Sequence, residues 1–194
     1  MLPEKIREIL REKRKMTAEE YFQLPETNIH MELIDGELFV YDGQEGNMPA
    51  PTVLHQKISR RIFLLLSKIL SEDGLYFAPI DVILNDNAVQ PDILWISPDN
   101  TICHELNGRL YGAPDFVVEI LSPSNTRRDK IDKFYLYEKY GVQEYWIVNP
   151  EEQYIEVYIR KEDTLHYQGG YKAGQTFSSK TLNGTTVALS DLFA

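Results

Sequence analysis

Cysteine is nearly absent from this chain: Cys103 is the single one among 194 residues. No internal disulfide can form, and such usage fits a reducing compartment, so a cytoplasmic protein is expected. Positive charge is also scarce, with 20 lysines and arginines against 30 aspartates and glutamates and a formal net charge of −10. That balance argues against strong, sequence-independent attraction to a phosphate backbone. It leaves nucleic acid open as a substrate wherever local basic patches or a bound cation change the field. No apolar run approaches the roughly 18 residues of a membrane-spanning helix. Residues 1–15 are charged with no apolar centre, so no secretory signal is expected either. A Walker-type loop, a His-Glu-x-x-His, paired cysteines and a Gly-x-Ser-x-Gly are all missing. P-loop nucleotide hydrolysis, zinc proteolysis and serine hydrolysis therefore lack support.

What is present reads as one globular domain over 1–194, 43% hydrophobic and long enough for a sizeable core. Residues 3–15 form an amphipathic peripheral helix with Ile6, Ile9 and Leu10 on one side; its basic surplus is either a phosphate-contacting arm or simply solvated. Thr17 and Glu20 have capping-box spacing. Residues 31–41 alternate about Asp35-Gly36, as a hairpin or a bulged strand. The clearest helix spans 51–70, where Ile58, Ile62, Leu65 and Ile69 recur at helical spacing. A strand over 75–84, a turn at Asn85-Asp86-Asn87 and a strand beginning at Asp92 follow, then a connection over 101–112 holding a short helix. Residues 114–121 are a strand, 129–140 a helix closed by Gly141, and 144–148 a further strand. Shorter strands at 154–159, 165–167 and 185–189, with a turn signal at Asn183-Gly184, form a C-terminal extension over 151–194. The order predicts an α/β fold, a mixed central sheet flanked by helices with extra antiparallel strands at the C-terminus.

The stretch 116–121, Phe-Val-Val-Glu-Ile-Leu, has the composition of a strand buried on both faces. A carboxylate in such a run is costly unless a cation or donor meets it. Asp92, at the head of Ile93-Leu94-Trp95-Ile96, poses the same problem. Two acids on neighbouring buried strands make a cradle for a hard divalent cation. Magnesium needs few carboxylate oxygens because it keeps several waters. Such an ion screens a phosphodiester and activates water, and a lysine nearby, Lys130 or Lys133, stabilises developing charge.

Val89-Gln90-Pro91-Asp92-Ile93, followed by Asp115-Phe116-Val117-Val118-Glu119-Ile120-Leu121-Ser122-Pro123-Ser124, resembles the PD-(D/E)XK nuclease superfamily. More narrowly the chain resembles the Uma-two family of restriction-like endonucleases. The likeness extends from Met16-Thr17-Ala18-Glu19-Glu20-Tyr21 through Glu32-Leu33-Ile34-Asp35-Gly36-Glu37-Leu38 and His55. It continues through Lys133-Phe134-Tyr135-Leu136-Tyr137 and Gly141 to Val148. The resemblance implies a restriction-endonuclease-like sheet of four to five strands and a magnesium (or manganese) site of Asp92, Glu119 and the backbone carbonyl of Ile120. It also implies a DNA phosphodiester as substrate. Leu121 stands where the superfamily has its lysine, and the matching amine is Lys133 of the following helix.

Several residues have two readings. Glu32 is either a third acid of the site or an exposed strand residue. His55 either contacts phosphate or a metal-bound water, or sits at a helix start with a satisfied hydrogen bond. Asp81 lies near the site or at the sheet's edge, and Tyr137, one turn from Lys133, holds that lysine or simply packs. Glu119 has a blander reading as a buried ion pair with Lys133 or an arginine. Arg127-Arg128-Asp129-Lys130 and Lys57-Arg60-Arg61 are either phosphate-tracking clusters or solvated faces. The tyrosine-rich strands after residue 150 offer a homodimer surface or cover a sheet edge. The competing functional reading is a catalytically inactive nuclease fold serving as an interaction or nucleic-acid-binding module.

Overall fold

The computed structural model describes residues 2–41, 52–122 and 127–194, without the side chains of Glu72 and of residues 127–130. Two six-stranded sheets and a two-stranded ribbon carry the chain. The first sheet joins β1 (His30–Ile34), β2 (Glu37–Tyr41), β4 (Val82–Leu84), β5 (Asn87–Val89), β7 (His104–Leu106) and β8 (Arg109–Tyr111), in the order β2-β1-β5-β4-β8-β7. The second joins β3 (Leu75–Phe77), β6 (Ile93–Trp95), β9 (Phe116–Ile120), β10 (Glu144–Asn149), β11 (Tyr154–Lys161) and β12 (Thr164–Lys172), in the order β12-β11-β10-β9-β6-β3. The ribbon pairs β13 (Thr176–Ser178) with β14 (Thr186–Ala188).

Three apolar cores explain the layering. Helices α1 (Glu4–Glu12) and α2 (Ala18–Phe22) bury Ile6, Ile9, Ala18 and Tyr21 against Met31, Leu33 and Ala88 on the outer face of the first sheet. Between the sheets, Ile34, Val82, Leu84 and Leu110 meet Leu94, Val117, Tyr145 and Ile147, together with Leu136 and Tyr137 of α4 (Arg127–Tyr140). On the far side of the second sheet, Ile58, Ile62 and Leu66 of α3 (Val53–Leu66) and Leu189 and Leu192 of α5 (Leu189–Phe193) cover Phe116, Val118, Ile120, Trp146 and Val148. Strand β9 is buried along its whole length, as its unbroken apolar run requires. Side chains 117 and 119 thus face α4, whereas 116, 118 and 120 face α3.

Local chemistry sets several boundaries. The capping box forms, with Glu20 N donating to Thr17 Oγ1 at 3.2 Å and Thr17 N to Glu20 Oε2 at 2.9 Å. Asp35 and Gly36 both take positive φ, and β1–β2 is a hairpin in the register His30 opposite Tyr41 and Glu32 opposite Phe39. Helix α3 stops at Leu66, earlier than the apolar stripe suggests; Ser67 Oγ donates to the Leu64 carbonyl at 3.2 Å and a tighter turn follows. Residue 51, and the stretch 123–126 that follows the 114–121 strand, lie outside the described residues.

Two expectations are corrected. The single strand over 75–84 is two strands in different sheets, separated by Pro79, which lacks a ladder donor. The connection over 101–112 holds no helix: it is the β7–β8 hairpin, turning on Asn107-Gly108, both at positive φ. The expected α/β arrangement is present: four strands, β10-β9-β6-β3, form the centre of the second sheet, and the antiparallel C-terminal strands β11 and β12 extend it from β10. Strand β12 also outruns 165–167, passing through Gly169-Gly170 to Lys172. Among the described residues no helix is long and apolar enough to cross a membrane.

Cys103 is buried in the core between the sheets, and burial together with the charge of Asp115 pushes its thiol up to about 12. It is therefore inert as a nucleophile. Iodoacetamide at mildly alkaline pH is expected to leave the native chain unlabelled and to label it stoichiometrically in denaturant, as read by mass spectrometry.

Candidate active site

Asp92 and Glu119 meet because of strand register. Ile93 pairs with Val118 and Leu94 with Val117, so Asp92, the residue just before this antiparallel ladder, arrives beside the Glu119-Ile120 end of β9. The tie is direct: Ile120 N donates to Asp92 Oδ2 at 2.7 Å. From the other direction, helix α3 brings His55, whose backbone N–H bonds its cap Thr52 Oγ1 at 3.1 Å. His55 Nε2 lies 3.1 Å from Asp92 Oδ1. Burial lowers the basicity of this imidazole, but the hydrogen bond and charge of Asp92, the charge of Glu119 and the backbone of Ile120 outweigh it, for a net upward shift. Among the described residues its buried Nδ1 has no hydrogen-bond partner.

Glu119 lies under α4. Lys133 and Tyr137, one helical turn apart, share a helix face. Lys133 Nζ is 3.1 and 3.2 Å from the two oxygens of Glu119, and Tyr137 OH donates to Glu119 Oε1 at 2.6 Å. Tyr137 thus orients the carboxylate, not the lysine. The same ammonium reaches Glu32 Oε1 at 2.7 Å, across from the first sheet. Glu32 is wholly buried, so of its two readings the exposed strand residue is set aside. It also accepts from Gln90 N at 2.7 Å and from the Tyr41 hydroxyl. One buried ammonium therefore serves two buried carboxylates.

The charges respond accordingly. Burial raises Glu32, but Lys133 and His30 outweigh it and hold its carboxyl at about 2. Burial, together with the charges of Asp92 and Glu32, pushes Glu119 up to about 7 despite Lys133 and Tyr137. Lys133 is driven well above its ordinary value: burial opposes this, and the two glutamates overcome it. The cluster carries more negative charge around Glu119 than one ammonium cancels.

That surplus is what a divalent cation at Asp92 and Glu119 would neutralise. Among the described residues, Glu119 Oε2 has Lys133 as its one hydrogen-bond donor, and Asp92 Oδ1 is engaged only by His55. An all-oxygen set of two carboxylates with the Ile120 carbonyl suits magnesium or manganese more than a thiophilic ion. Among the described residues no group of three or more His, Cys, Asp and Glu side chains is arranged to hold a metal. The donor set therefore fits an ion that completes its shell with water.

Other candidates fall elsewhere. Asp81 accepts from Gln90 Nε2 at 2.8 Å and lies 3.7 Å from Arg109 Nε, one residue removed from the acid cluster. Arg61 donates to the Leu192 carbonyl at 3.1 Å and anchors α5, leaving Lys57 and Arg60 exposed. The side chains of the 127–130 cluster, Lys130 included, lie outside the described residues. Two participants were missed in the sequence. Tyr41 is the diagonal neighbour of Glu32 in the hairpin and stacks on His30 with ring centroids 4.3 Å apart. The Asp35-Gly36 turn, which fixes that register, was the available signal. Gln90 N reaches Glu32 from far along the chain, and nothing local announces it.

No curated protein matches this chain. Among solved structures it is similar to one described as a putative nuclease belonging to DUF820 from Anabaena variabilis ATCC 29413. The TM-score is 0.72 at 22% identity, over 92% of this chain and 97% of that one. At that identity the likeness shows the fold, a nuclease-type α/β arrangement. The family model Uma2, described as "Putative restriction endonuclease", matches residues 18–190, and the chain belongs to this Uma2, or Uma-two, family.

Proposed function

We propose that the chain is a metal-dependent endonuclease that hydrolyses DNA phosphodiester bonds, with Asp92, Glu119 and the Ile120 carbonyl as the metal seat. The observation that carries this reading is the Lys133 ammonium between Glu119 and Glu32, with Asp92 bound to the neighbouring Ile120 N–H and to His55, close enough for its charge to act on Glu119. Bound there, magnesium would screen the phosphate and lower the pKa of a water. Lys133, held by Glu119 and Glu32, presents fixed positive charge to developing negative charge on the scissile group. Tyr137 and Tyr41 keep the two carboxylates oriented, so little reorganisation is needed. His55 is held on Asp92 through its Nε2 and so fixes that carboxylate beside the seat.

The test is nicking of supercoiled plasmid DNA by pure, folded protein. Cleavage is expected with magnesium or manganese, none with chelator, and none from Glu119→Gln under any condition. A folded preparation that cuts no DNA with any divalent ion would sink the proposal. Leu121 in the superfamily's lysine position favours the second reading, an inactive binding module. That reading requires no heat of magnesium binding in calorimetry.

A further inference from the structure

One end of the second sheet's edge is paved with tyrosine. Tyr154 lies opposite Lys172, Glu156 opposite Gly170 and Tyr158 opposite Tyr167, and opposed residues of an antiparallel pair share a face. A Cβ on Gly170 would fall 2.0 Å from the Tyr154 hydroxyl and 2.6 Å from that of Tyr167, and the two hydroxyls are 3.3 Å apart. Both side chains therefore lean across the glycine instead of standing off the sheet. Tyr167 is 57% exposed, and Tyr158, its neighbour at 5.5 Å between centroids, is fixed from behind by Phe134 and Tyr145.

This surface belongs to the same face and the same end as the acids. Tyr158 pairs with Tyr145, Tyr145 with Val117, and Val117 shares its side of β9 with Glu119. Tyr154 pairs with Asn149, the residue after the partner of Ile120. Helix α4 crosses the other end: Glu138 accepts from Leu165 N through its carboxylate and from Arg160 through its carbonyl. Three strand spacings of about 4.8 Å separate β12 from β9, about 14 Å.

We propose that Tyr154 and Tyr167, with Lys172 beside them, form a stacking platform for unpaired bases. It rests on the nuclease reading and names its substrate class: DNA with a single-stranded segment next to the scissile bond. The rings decide for single strands over duplex: exposed aromatic side chains stack on unpaired bases, whose faces a duplex keeps within its own stack, and such stacking tolerates any sequence.

The test uses the full chain in chelator, so that nothing is cut, and the anisotropy of labelled oligothymidylate and of a blunt hairpin duplex. The single strand is expected to bind more tightly than the duplex. Tyr167→Ala weakens single-strand binding about tenfold, while Tyr167→Phe keeps most of it and duplex binding stays unchanged. Equal single-strand affinity of wild type, Tyr154→Ala and Tyr167→Ala overturns the platform, as does a preference for duplex. A change in sedimentation of Tyr167→Ala with no change in DNA affinity also overturns it, making this a face between copies of the chain. Cleavage is scored separately: single-strand binding without nicking in magnesium leaves the platform standing and fails the nuclease reading alone.

Discussion

A chain carrying Lys133→Met is expected to lose about 3–5 kcal/mol of stability at neutral pH, the cost of stripping the partner from a buried ion pair. Methionine preserves most of the lysine's apolar stem, so the loss is electrostatic. Glu32 and Glu119 would then face each other, buried, with no cation between them. The pH dependence has a definite sign. In the parent, Glu32 sits at about 2, so its contribution is present above the ordinary carboxylate range and is lost as pH falls toward that value. Glu119, at about 7, acts oppositely, costing stability as pH rises from the ordinary range to that value. Without Lys133 both carboxyls shift upward, and both cost stability as pH rises. The urea midpoint of Lys133→Met should therefore climb toward that of the parent on acidification from neutral pH. Adding Glu119→Gln to the variant should recover much of the loss. Equal midpoints at neutral pH would mean that water reaches the pair.

Asp92→Asn is expected to cut cleavage by about 10²–10³-fold, the loss seen when one group of a preorganised electrostatic site is removed. The fold should survive. Asp92 is partly exposed, and an asparagine carbonyl accepts the Ile120 N–H as the carboxylate does at 2.7 Å. What disappears is the charge that, with Glu119, would hold a cation, and the anion that His55 meets. Calorimetry with manganese should show weakened binding, and far-ultraviolet dichroism should match the parent. A fully active Asp92→Asn would remove this residue from the metal seat.

How much of this was legible in the sequence depends on how local each cause is. The capping box at Thr17 and the Asp35-Gly36 turn are decided within a few residues, and both stand as read. Glu119 announced itself because a carboxylate inside an apolar strand demands a partner, and Lys133 supplies it. The β7–β8 hairpin was misread because His104, Glu105 and Leu106 are all exposed, so no alternation marks the strand; Asn107-Gly108 was the signal passed over. Glu32 and Tyr41 needed the hairpin register, and the Gln90 N–H needed the packing of β5 on β1. Such pairings are tertiary, and periodicity does not contain them.

The amine at the centre of the cluster joins an acid from the first hairpin to an acid from the ninth strand, and each sheet contributes one of them. The bridge from Glu32 through Lys133 to Glu119 therefore forms only where both sheets meet α4. On the proposed reading, the bridged acids await the packing of both sheets.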